Sequence, residues 1–145
     1  MKIGEICTRP AIKARESEPL SQIAAVMAQA HVGAIVITQG DGEVATVCGI
    51  ITDRDLLRAQ LERTADLSSL SAGEIMTRNP LVLSEESSVD SAIAHLRARN
   101  VRRAPVVDHF GSLVGLISAD DLLRHLASQI TLLGLAVLGQ ARRER

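Results

Sequence analysis

The chain repeats itself, and this duplication limits the folds available to it more than any other feature. Residues 4–9 (GEICTR) recur as residues 73–78 (GEIMTR), and residues 49–58 (GIITDRDLLR) match residues 115–124 (GLISADDLLR). The spacing between these two matches falls from 69 to 66 residues. The shortening fits a turn, residues 39–43 in the first copy and 108–112 in the second, where turn chemistry tolerates a length difference. Such self-similarity indicates two copies of one supersecondary unit.

Each copy carries the same series of predicted elements. Apolar residues at helical spacing predict an amphipathic helix, and nearly continuous apolar runs on both sides of a Gly-containing turn predict two covered strands. The fold class is therefore α/β (α+β), with two β-α-β-β-α repeats related by pseudo-two-fold symmetry. The predicted elements are strands at 11–14 and 81–83, helices at 19–30 and 89–100, strand pairs at 34–38 with 44–51 and 104–107 with 113–117, and second helices that start at Thr52 and Ser118.

The boundaries follow from the repeat. We expect a first repeat at residues 1–64, a polar linker at 65–71, a second repeat at 72–126 and a C-terminal helical extension at 127–145. A half of this size buries only ~60% of its unfolded-chain surface and is marginal alone. The two halves are therefore expected to pack sheet to sheet around one shared core, which leaves two equivalent clefts between them.

Composition excludes several classes of function. The formal net charge is −1, with one Phe and no Trp or Tyr, which argues against nucleic-acid and anionic-membrane partners. Cys7 and Cys48 are expected to be reduced core thiols of a cytoplasmic protein. The longest apolar run, residues 130–139, is shorter than the ~20 residues of a membrane span. The scattered histidines do not have metal-site spacing, and no nucleophile motif is present, so we expect neither a metal site nor an enzyme.

Three motifs together resemble those of the CBS-domain pair, or Bateman module, in its stand-alone bacterial form. They are residues 75–80 (IMTRNP), residues 101–107 (VRRAPVV), and the Gly-apolar-apolar-Ser/Thr-x-x-Asp block present in both halves. The resemblance covers about residues 1–126. It implies a regulatory ligand in the clefts, an adenine nucleotide (AMP, ADP or ATP) or S-adenosylmethionine, with no required cofactor. It also implies a homodimer that acts on an unidentified target protein.

Two hydroxyl–carboxylate pairs are the main candidates for ligand contact. Thr52 with Asp55, and Ser118 with Asp121, have the spacing of a capping box at a helix start. A carboxylate there can also accept hydrogen bonds from a ribose cis-diol, and free N–H groups of the helix N-terminus favour phosphate. The family resemblance implies that these positions hold the ribose and its nearest phosphate.

Basic residues are candidates for the phosphate contact. By resemblance, Arg102 and Arg103 face the phosphates, although they could equally be solvated surface residues. Arg54 would help the first cleft to hold phosphate, whereas Asp120 at the matching position would repel it from the second. The sequence favours the Asp121 cleft, since two arginines should outweigh one aspartate.

The resemblance also places an adenine slot along the first strand of each half. The positional candidates are Ile12 and Val82, with Ala34 and Ala104 as small wall residues and Pro105 beside Ala104. Plain core packing accounts for each of these residues equally well.

Two other functions remain open. The chain could be an interaction or dimerisation scaffold without ligand binding, with the predicted apolar helix over residues 122–140 as its working surface. It could also bind nucleic acid, and the basic residues available for that are Arg97, Arg99, Arg102 and Arg103.

Overall fold

The computed structural model describes residues 1–40, 44–63 and 66–143. Three stretches named above lie outside the described residues. They are residues 41–43 in the first turn, residues 64 and 65 where the first repeat meets the linker, and residues 144 and 145 at the end of the tail.

The described residues form the two predicted repeats. The first contains β1 (Lys13–Arg15), α1 (Leu20–Ala30), β2 (Ala34–Gln39), β3 (Thr46–Thr52) and α2 (Asp53–Arg63). A 3₁₀ turn at Leu67–Ser69 follows. The second contains α3 (Ala72–Ile75), β4 (Thr77–Arg78), β5 (Leu83–Ser84), α4 (Val89–Arg99), β6 (Arg103–Val107), β7 (Leu113–Ser118) and α5 (Ala119–Arg143). The β-α-β-β-α order predicted from the sequence is confirmed in both copies.

The strands form two sheets, in the orders β1-β2-β3-β4 and β5-β6-β7. In each sheet the first strand runs parallel to the second, and the hairpin strands are antiparallel. The fourth strand of the first sheet comes from the second repeat: β4 pairs with β3 through Gly49–Arg78 and Ile50–Thr77. In the other sheet, Thr8 of the first repeat bridges to Leu116 of β7. The opening of each repeat therefore crosses to the sheet of the other.

Backbone hydrogen bonds hold these crossed openings in equivalent places. The N–H of Gly4 donates to the carbonyl of Glu85 at 3.0 Å, and the N–H of Gly73 donates to the carbonyl of Glu16 at 2.9 Å. Ion pairs repeat the same symmetry, with Arg9 to Glu85 at 2.7 Å and Arg78 to Glu16 at 3.0 Å. The pseudo-two-fold relation thus extends to individual contacts.

The apolar core differs from the single shared core expected from the sequence, because it forms two clusters, one for each sheet. The first cluster includes Ala72 and Met76 from the opening of the second repeat. The second includes Ile3, fully buried, from the opening of the first repeat. Crossing of the openings explains the difference, since each half completes its own core with side chains from the other.

The two cysteines are free thiols, as the sequence predicted, but they are half-buried at the edges of the two apolar clusters and are not core residues. The Sγ atom of Cys48 lies 3.4 Å from the carbonyl oxygen of Ile37, within hydrogen-bond reach. Burial raises the pKa of the Cys48 thiol above its usual value.

Two equivalent glycines make the crossings possible. A Cβ atom on Gly115 would lie 2.7 Å from the carbonyl oxygen of Thr8, and one on Gly49 would lie 3.1 Å from that of Thr77. Both oxygens belong to the backbone of the crossing segment, so neither can move without displacing that segment. At Gly115 only glycine allows this close approach. At Gly49 an added Cβ would also collide with the side chain of Met76.

The predicted C-terminal helix is part of α5, a continuous helix of 25 residues. Its first turns pack against the second sheet through Leu122, but apolar side chains from Leu126 onward are exposed. By length and composition, α5 is the one helix in the described part of the chain that is apolar enough to cross a membrane, a test that core helices of soluble proteins also pass.

We predict that Gly115→Ala lowers the free energy of unfolding by about 2 kcal/mol, because the added methyl group collides with the crossing backbone. The matched control is Gly134→Ala, where nothing lies within 4 Å of the added Cβ. Helix interiors favour alanine over glycine by about 1 kcal/mol, so this variant should keep or raise stability. Urea denaturation followed by circular dichroism measures both effects, and equal midpoints for the two variants would contradict the role given to Gly115.

Candidate functional site

Both hydroxyl–carboxylate pairs form capping boxes. The N–H of Thr52 donates to Oδ2 of Asp55 at 2.8 Å, and the N–H of Asp55 donates to the hydroxyl oxygen of Thr52 at 3.3 Å. The same pair of bonds joins Ser118 and Asp121 at 2.9 and 3.1 Å. The structural role inferred from the spacing is therefore confirmed at the starts of α2 and α5.

The two carboxylates differ in what remains available to a ligand. Oδ1 of Asp121 lies 3.7 Å from the guanidinium of Arg124. Within the described ranges, no hydrogen bond or ion pair occupies Oδ1 of Asp55. Asp55 is half-buried, and the capping bond to its Oδ2 atom holds the carboxylate in place. Oδ1 is therefore an acceptor in a fixed position.

A cavity of about 610 Å³ opens beside Asp55, between the two repeats. It is walled by the end of β3 and the start of α2 from the first repeat. The second repeat contributes its β4 region, the end of α4, the segment before β6 and the start of α5. The lining residues are Ile50, Thr52, Asp53, Arg54, Asp55, Thr77, Arg78, Asn79, Pro80, Leu81, Arg99, Val101, Arg102, Arg103 and Asp120.

Crossing of the second opening creates this cavity. Because β4 pairs with β3, the segment that follows β4 passes beside the start of α2. The side chain of Arg103 spans the two repeats from the other direction and donates to the carbonyl oxygen of Gly33 at 3.1 Å. That carbonyl also accepts the N–H of Asp53 at 3.1 Å, which ties Arg103 to the start of α2.

Five of the predicted site residues are brought together in this cavity, namely Thr52, Arg54, Asp55, Arg102 and Arg103. Within the described part of the chain, its lining includes neither Ser118 nor Asp121. The sequence-based preference for the Asp121 cleft stays a prediction, but Arg102 and Arg103, on which it rests, line the cavity beside Asp55. Arg102 precedes β6 and Arg103 begins it, and both line the cavity together with the start of α2.

The positions predicted for the adenine slot lie elsewhere. Ala34, Ala104 and Pro105 are buried, and Ala104 belongs to the core cluster of the second sheet. Ile12 packs against the first cluster, and Val82 is 37% exposed. Leu81 lines the cavity instead of Val82. The repeat could have indicated Leu81, because the offset of 69 residues between residues 4–9 and 73–78 also relates Ile12 to Leu81.

The sequence analysis also missed Arg78 and Asn79 as lining residues and assigned Arg99 only to a basic surface. Asn79 has a left-handed backbone, with φ 47°, which directs the chain around the cavity rim. The guanidinium of Arg99 donates to the carbonyl oxygen of Asn79 at 3.3 Å. A useful signal was the motif IMTRNP itself, whose Arg-Asn-Pro end forms this rim.

The cavity is electropositive, with five arginines and three aspartates in its lining. Arg102 pairs with Asp120 at 3.3 Å, and Arg78 pairs with Glu16 at 3.0 Å. For Arg54, Arg99 and Arg103, no carboxylate of the described residues lies within ion-pair distance. These three guanidinium groups can therefore receive an anion without giving up a partner carboxylate.

The start of α2 does not offer the free N–H groups that the sequence suggested. The N–H of Asp53 donates to the carbonyl of Gly33. The N–H of Arg54 donates to Oδ1 of Asp53 at 2.8 Å, and the N–H of Asp55 donates to the hydroxyl of Thr52. The capping residues satisfy these donors internally. The groups in the cavity that remain available to an anion are therefore guanidinium groups, with the helix dipole as a weaker contribution.

Comparison with known proteins identifies the family. Residues 3–62 and 72–128 each match the model of the CBS domain. The chain therefore belongs to the CBS-domain family and contains two copies of the domain, as the sequence motifs indicated.

The relatives vary in length and activity. Protein MK0525 of Methanopyrus kandleri is 28% identical over 124 residues, which are 86% of this chain and 62% of that protein. Inosine-5'-monophosphate dehydrogenase of Mycobacterium leprae is 31% identical over 114 residues, 78% of this chain and 20% of the enzyme. The chain thus spans less than two thirds of these relatives.

Solved structures show the same fold. Two structures of the CBS domain pair of protein MJ0100, in complex with 5'-methylthioadenosine and S-adenosyl-L-methionine, have TM-scores of 0.78 and 0.75. They are 24% and 25% identical and cover 89% and 87% of this chain and 98% and 99% of their own. A CBS domain pair of this fold therefore binds adenosyl compounds.

We predict that Ser118→Ala lowers the free energy of unfolding by about 1 kcal/mol, because it removes the cap at the start of α5. Ser128→Ala, on the exposed middle of the same helix, is the matched control and should change stability by less than about 0.5 kcal/mol. Thermal unfolding of both variants measures the difference, and a control that loses as much as Ser118→Ala would argue against the cap.

Proposed function

We propose that the cavity between the repeats binds an adenine nucleotide as a regulatory ligand. The observation that carries this proposal is the convergence of a fixed carboxylate oxygen, on Asp55, with five arginine side chains in a cavity of about 610 Å³. The carboxylate oxygen can accept hydrogen bonds from a ribose diol, and the arginine side chains can bind a phosphate chain. Membership of the CBS-domain family and the adenosyl compounds bound by the MJ0100 pair support the choice of ligand.

Asp55 has the role of ribose acceptor in this proposal. Its Oδ2 atom is fixed by the N–H of Thr52, so Oδ1 is positioned without loss of side-chain freedom on binding. A carboxylate oxygen accepts hydrogen bonds from hydroxyl groups more strongly than a neutral acceptor does.

The phosphates lie against Arg54, Arg99 and Arg103, whose guanidinium groups lack a carboxylate partner among the described residues. Guanidinium binds phosphate oxygens in a bidentate manner. Because arginines outnumber aspartates in the lining, the field favours an anion over S-adenosylmethionine, which carries a positive sulfonium. AMP, ADP or ATP therefore fits this chain better than the S-adenosylmethionine found with MJ0100.

The base has an apolar wall available in the same cavity. Ile50, Leu81 and Val101 line it from both repeats. Ser118 and Asp121 remain predicted residues of the second, pseudo-equivalent cleft. In this proposal that cleft is the weaker site, because Arg102 and Arg103, at the start of β6, line the first. Ile12, Val82, Ala34, Ala104 and Pro105 remain predicted adenine-slot residues of the two halves.

The proposed role is regulatory and non-catalytic, in the cytoplasm, through a target protein and a homodimer. A nucleotide that contacts both repeats stabilises their mutual arrangement, and a target protein can respond to that arrangement. The alternative, an interaction scaffold without a ligand, is favoured by the exposed apolar side chains of α5. The two proposals separate on whether any adenine nucleotide raises the unfolding temperature.

We predict that ATP, ADP or AMP stabilises the chain, by about 2.7 kcal/mol at a ligand concentration about 100-fold above Kd. For a chain of this size that corresponds to a rise of roughly 8 °C in Tm. Asp55→Asn should remove most of this rise, because the amide keeps the cap but accepts more weakly from the ribose. Asp121→Asn is the matched control with the same capping chemistry, and it should keep most of the rise.

Differential scanning fluorimetry measures the rise in Tm of the wild type and of both variants. Absence of a shift with every adenine nucleotide contradicts nucleotide sensing, and a larger loss in Asp121→Asn assigns the primary site to the other cleft.

A second prediction separates phosphate recognition from nucleoside recognition. Arg54→Ala should weaken ATP binding by at least roughly tenfold, because a charged hydrogen bond contributes about 1.5–3 kcal/mol. The same change should leave binding of 5'-methylthioadenosine, which has the ribose diol but no phosphate, nearly unchanged. Arg58→Ala, one turn along α2 and outside the cavity lining, is the control. Isothermal titration calorimetry gives the affinities, and an equal loss for both ligands would place Arg54 outside the phosphate site.

A further inference from the structure

We propose that α5 is the contact surface for a second copy of this chain, and that two α5 helices pack antiparallel along one apolar stripe. The stripe consists of Leu126, Ile130, Leu133 and Val137. The inference concerns a surface outside the nucleotide cavity and does not depend on a bound ligand.

The stripe continues the face by which α5 packs against its own repeat. Leu122, at 3% exposure, begins this face, and successive positions three or four residues apart follow on the same side of a helix. Past the end of α4 the face has no cover within the described chain, and Ile130, Leu133 and Val137 are 72%, 67% and 60% exposed. An apolar surface of this extent marks an interaction site.

The spacing of the stripe is symmetrical, which suits self-association. In an antiparallel pair that places Leu126 of one chain opposite Val137 of the other, Ile130 falls opposite Leu133. A surface that pairs with itself in this way is what a two-fold dimer interface requires. A single register thus satisfies all four positions in both chains.

The charges of α5 favour the same register. Its first turn carries Asp120 and Asp121, and its last turn carries Arg142 and Arg143. The register that matches the stripe places the basic end of each helix beside the acidic start of its partner. A parallel pair would instead bring like charges together. Because these charges lie off the stripe, they bias orientation without being buried.

A groove at the base of α5 provides room for the tip of the partner helix. It has a volume of about 430 Å³ and lies between α4 and α5. Its apolar lining is continuous with the stripe, because Leu126 belongs to both; the other apolar lining residues are Ile93, Leu96, Val101, Ala119, Leu122 and Leu123. In the antiparallel register, Val137 of the partner reaches Leu126 at the mouth of this groove.

A lipid bilayer is the competing occupant, because Leu132, Leu135 and Leu138 are exposed off the stripe. The uncharged part of α5, residues 126–141, rises only about 24 Å at 1.5 Å per residue. The hydrocarbon core of a bilayer is ~30 Å thick. Ser128, Gln129 and Thr131 also interrupt this segment near its start. The second copy of the chain therefore fits the helix better than a membrane does.

The first test is the mass of the full chain in solution, by size-exclusion chromatography with multi-angle light scattering at about 50 μM protein. The wild type should be a dimer. The double variant Ile130→Glu, Leu133→Glu should be a monomer whose far-UV circular dichroism spectrum matches that of the wild type. Ser128→Glu with Thr131→Glu adds the same charge to the other side of the helix and should stay dimeric. A monomeric wild type, or a stripe variant that stays dimeric, overturns the proposal.

The second test fixes the orientation, in chains whose native cysteines are replaced by serine. A chain with Leu126→Cys mixed with a chain with Val137→Cys should form a disulfide-linked pair under mild oxidation, while neither chain cross-links with itself. Cross-linking of each variant only with itself indicates parallel helices and contradicts the register. Flotation of the wild type with phosphatidylcholine–phosphatidylglycerol vesicles, abolished by the Ile130→Glu and Leu133→Glu changes, would assign the stripe to lipid and overturn the proposal.

Discussion

Each repeat of this chain is completed by the opening segment of the other, and the candidate site depends on that crossing. The openings pass over Gly115, where a backbone oxygen approaches too closely for a side chain, and over Gly49, where an added Cβ would collide with Met76. The crossing contributes Ile3 to one core and Ala72 with Met76 to the other. Because β4 adds to the first sheet, the chain that follows it becomes the rim of the cavity beside Asp55. The folding unit is therefore the pair of repeats, and the site exists only between them.

Duplication gives two equivalent frameworks, but the side chains that fill them differ. Thr52 with Asp55 and Ser118 with Asp121 have nearly identical capping geometry, so the backbone alone does not distinguish the clefts. The distinction comes from the starts of β2 and β6, where Gly33 and Ala34 in one repeat match Arg102 and Arg103 in the other. Among the described residues, this asymmetric distribution of arginine over a symmetric fold makes the cavity beside Asp55 electropositive.

The repeat predicted most of the fold, because apolar spacing reports which face of each helix or strand is buried. It could not predict the crossing, since Ile3 and Met76 have the same pattern whichever core they enter. For the same reason, the sequence placed Arg102 and Arg103 in the Asp121 cleft, whereas both line the cavity beside Asp55. The spacing of Thr52 and Asp55 predicted their mutual hydrogen bonds, but not that the cap would consume the N–H groups expected to bind phosphate.

Arg102 connects the cavity to α5. Its carbonyl oxygen accepts the N–H of Ala119 at 2.8 Å, and its guanidinium pairs with Asp120 at 3.3 Å, so both ends of the residue hold the first turn of the helix. Arg102 and Asp120 also line the cavity. An anion there competes with Asp120 for the guanidinium, and an exposed ion pair is weak enough for a phosphate to replace it. The groove at the base of α5 includes Arg102 as well, so the two surfaces of this molecule share one side chain. Any rearrangement of Arg102 by an anion in the cavity therefore acts directly on the base of the helix that carries the apolar stripe.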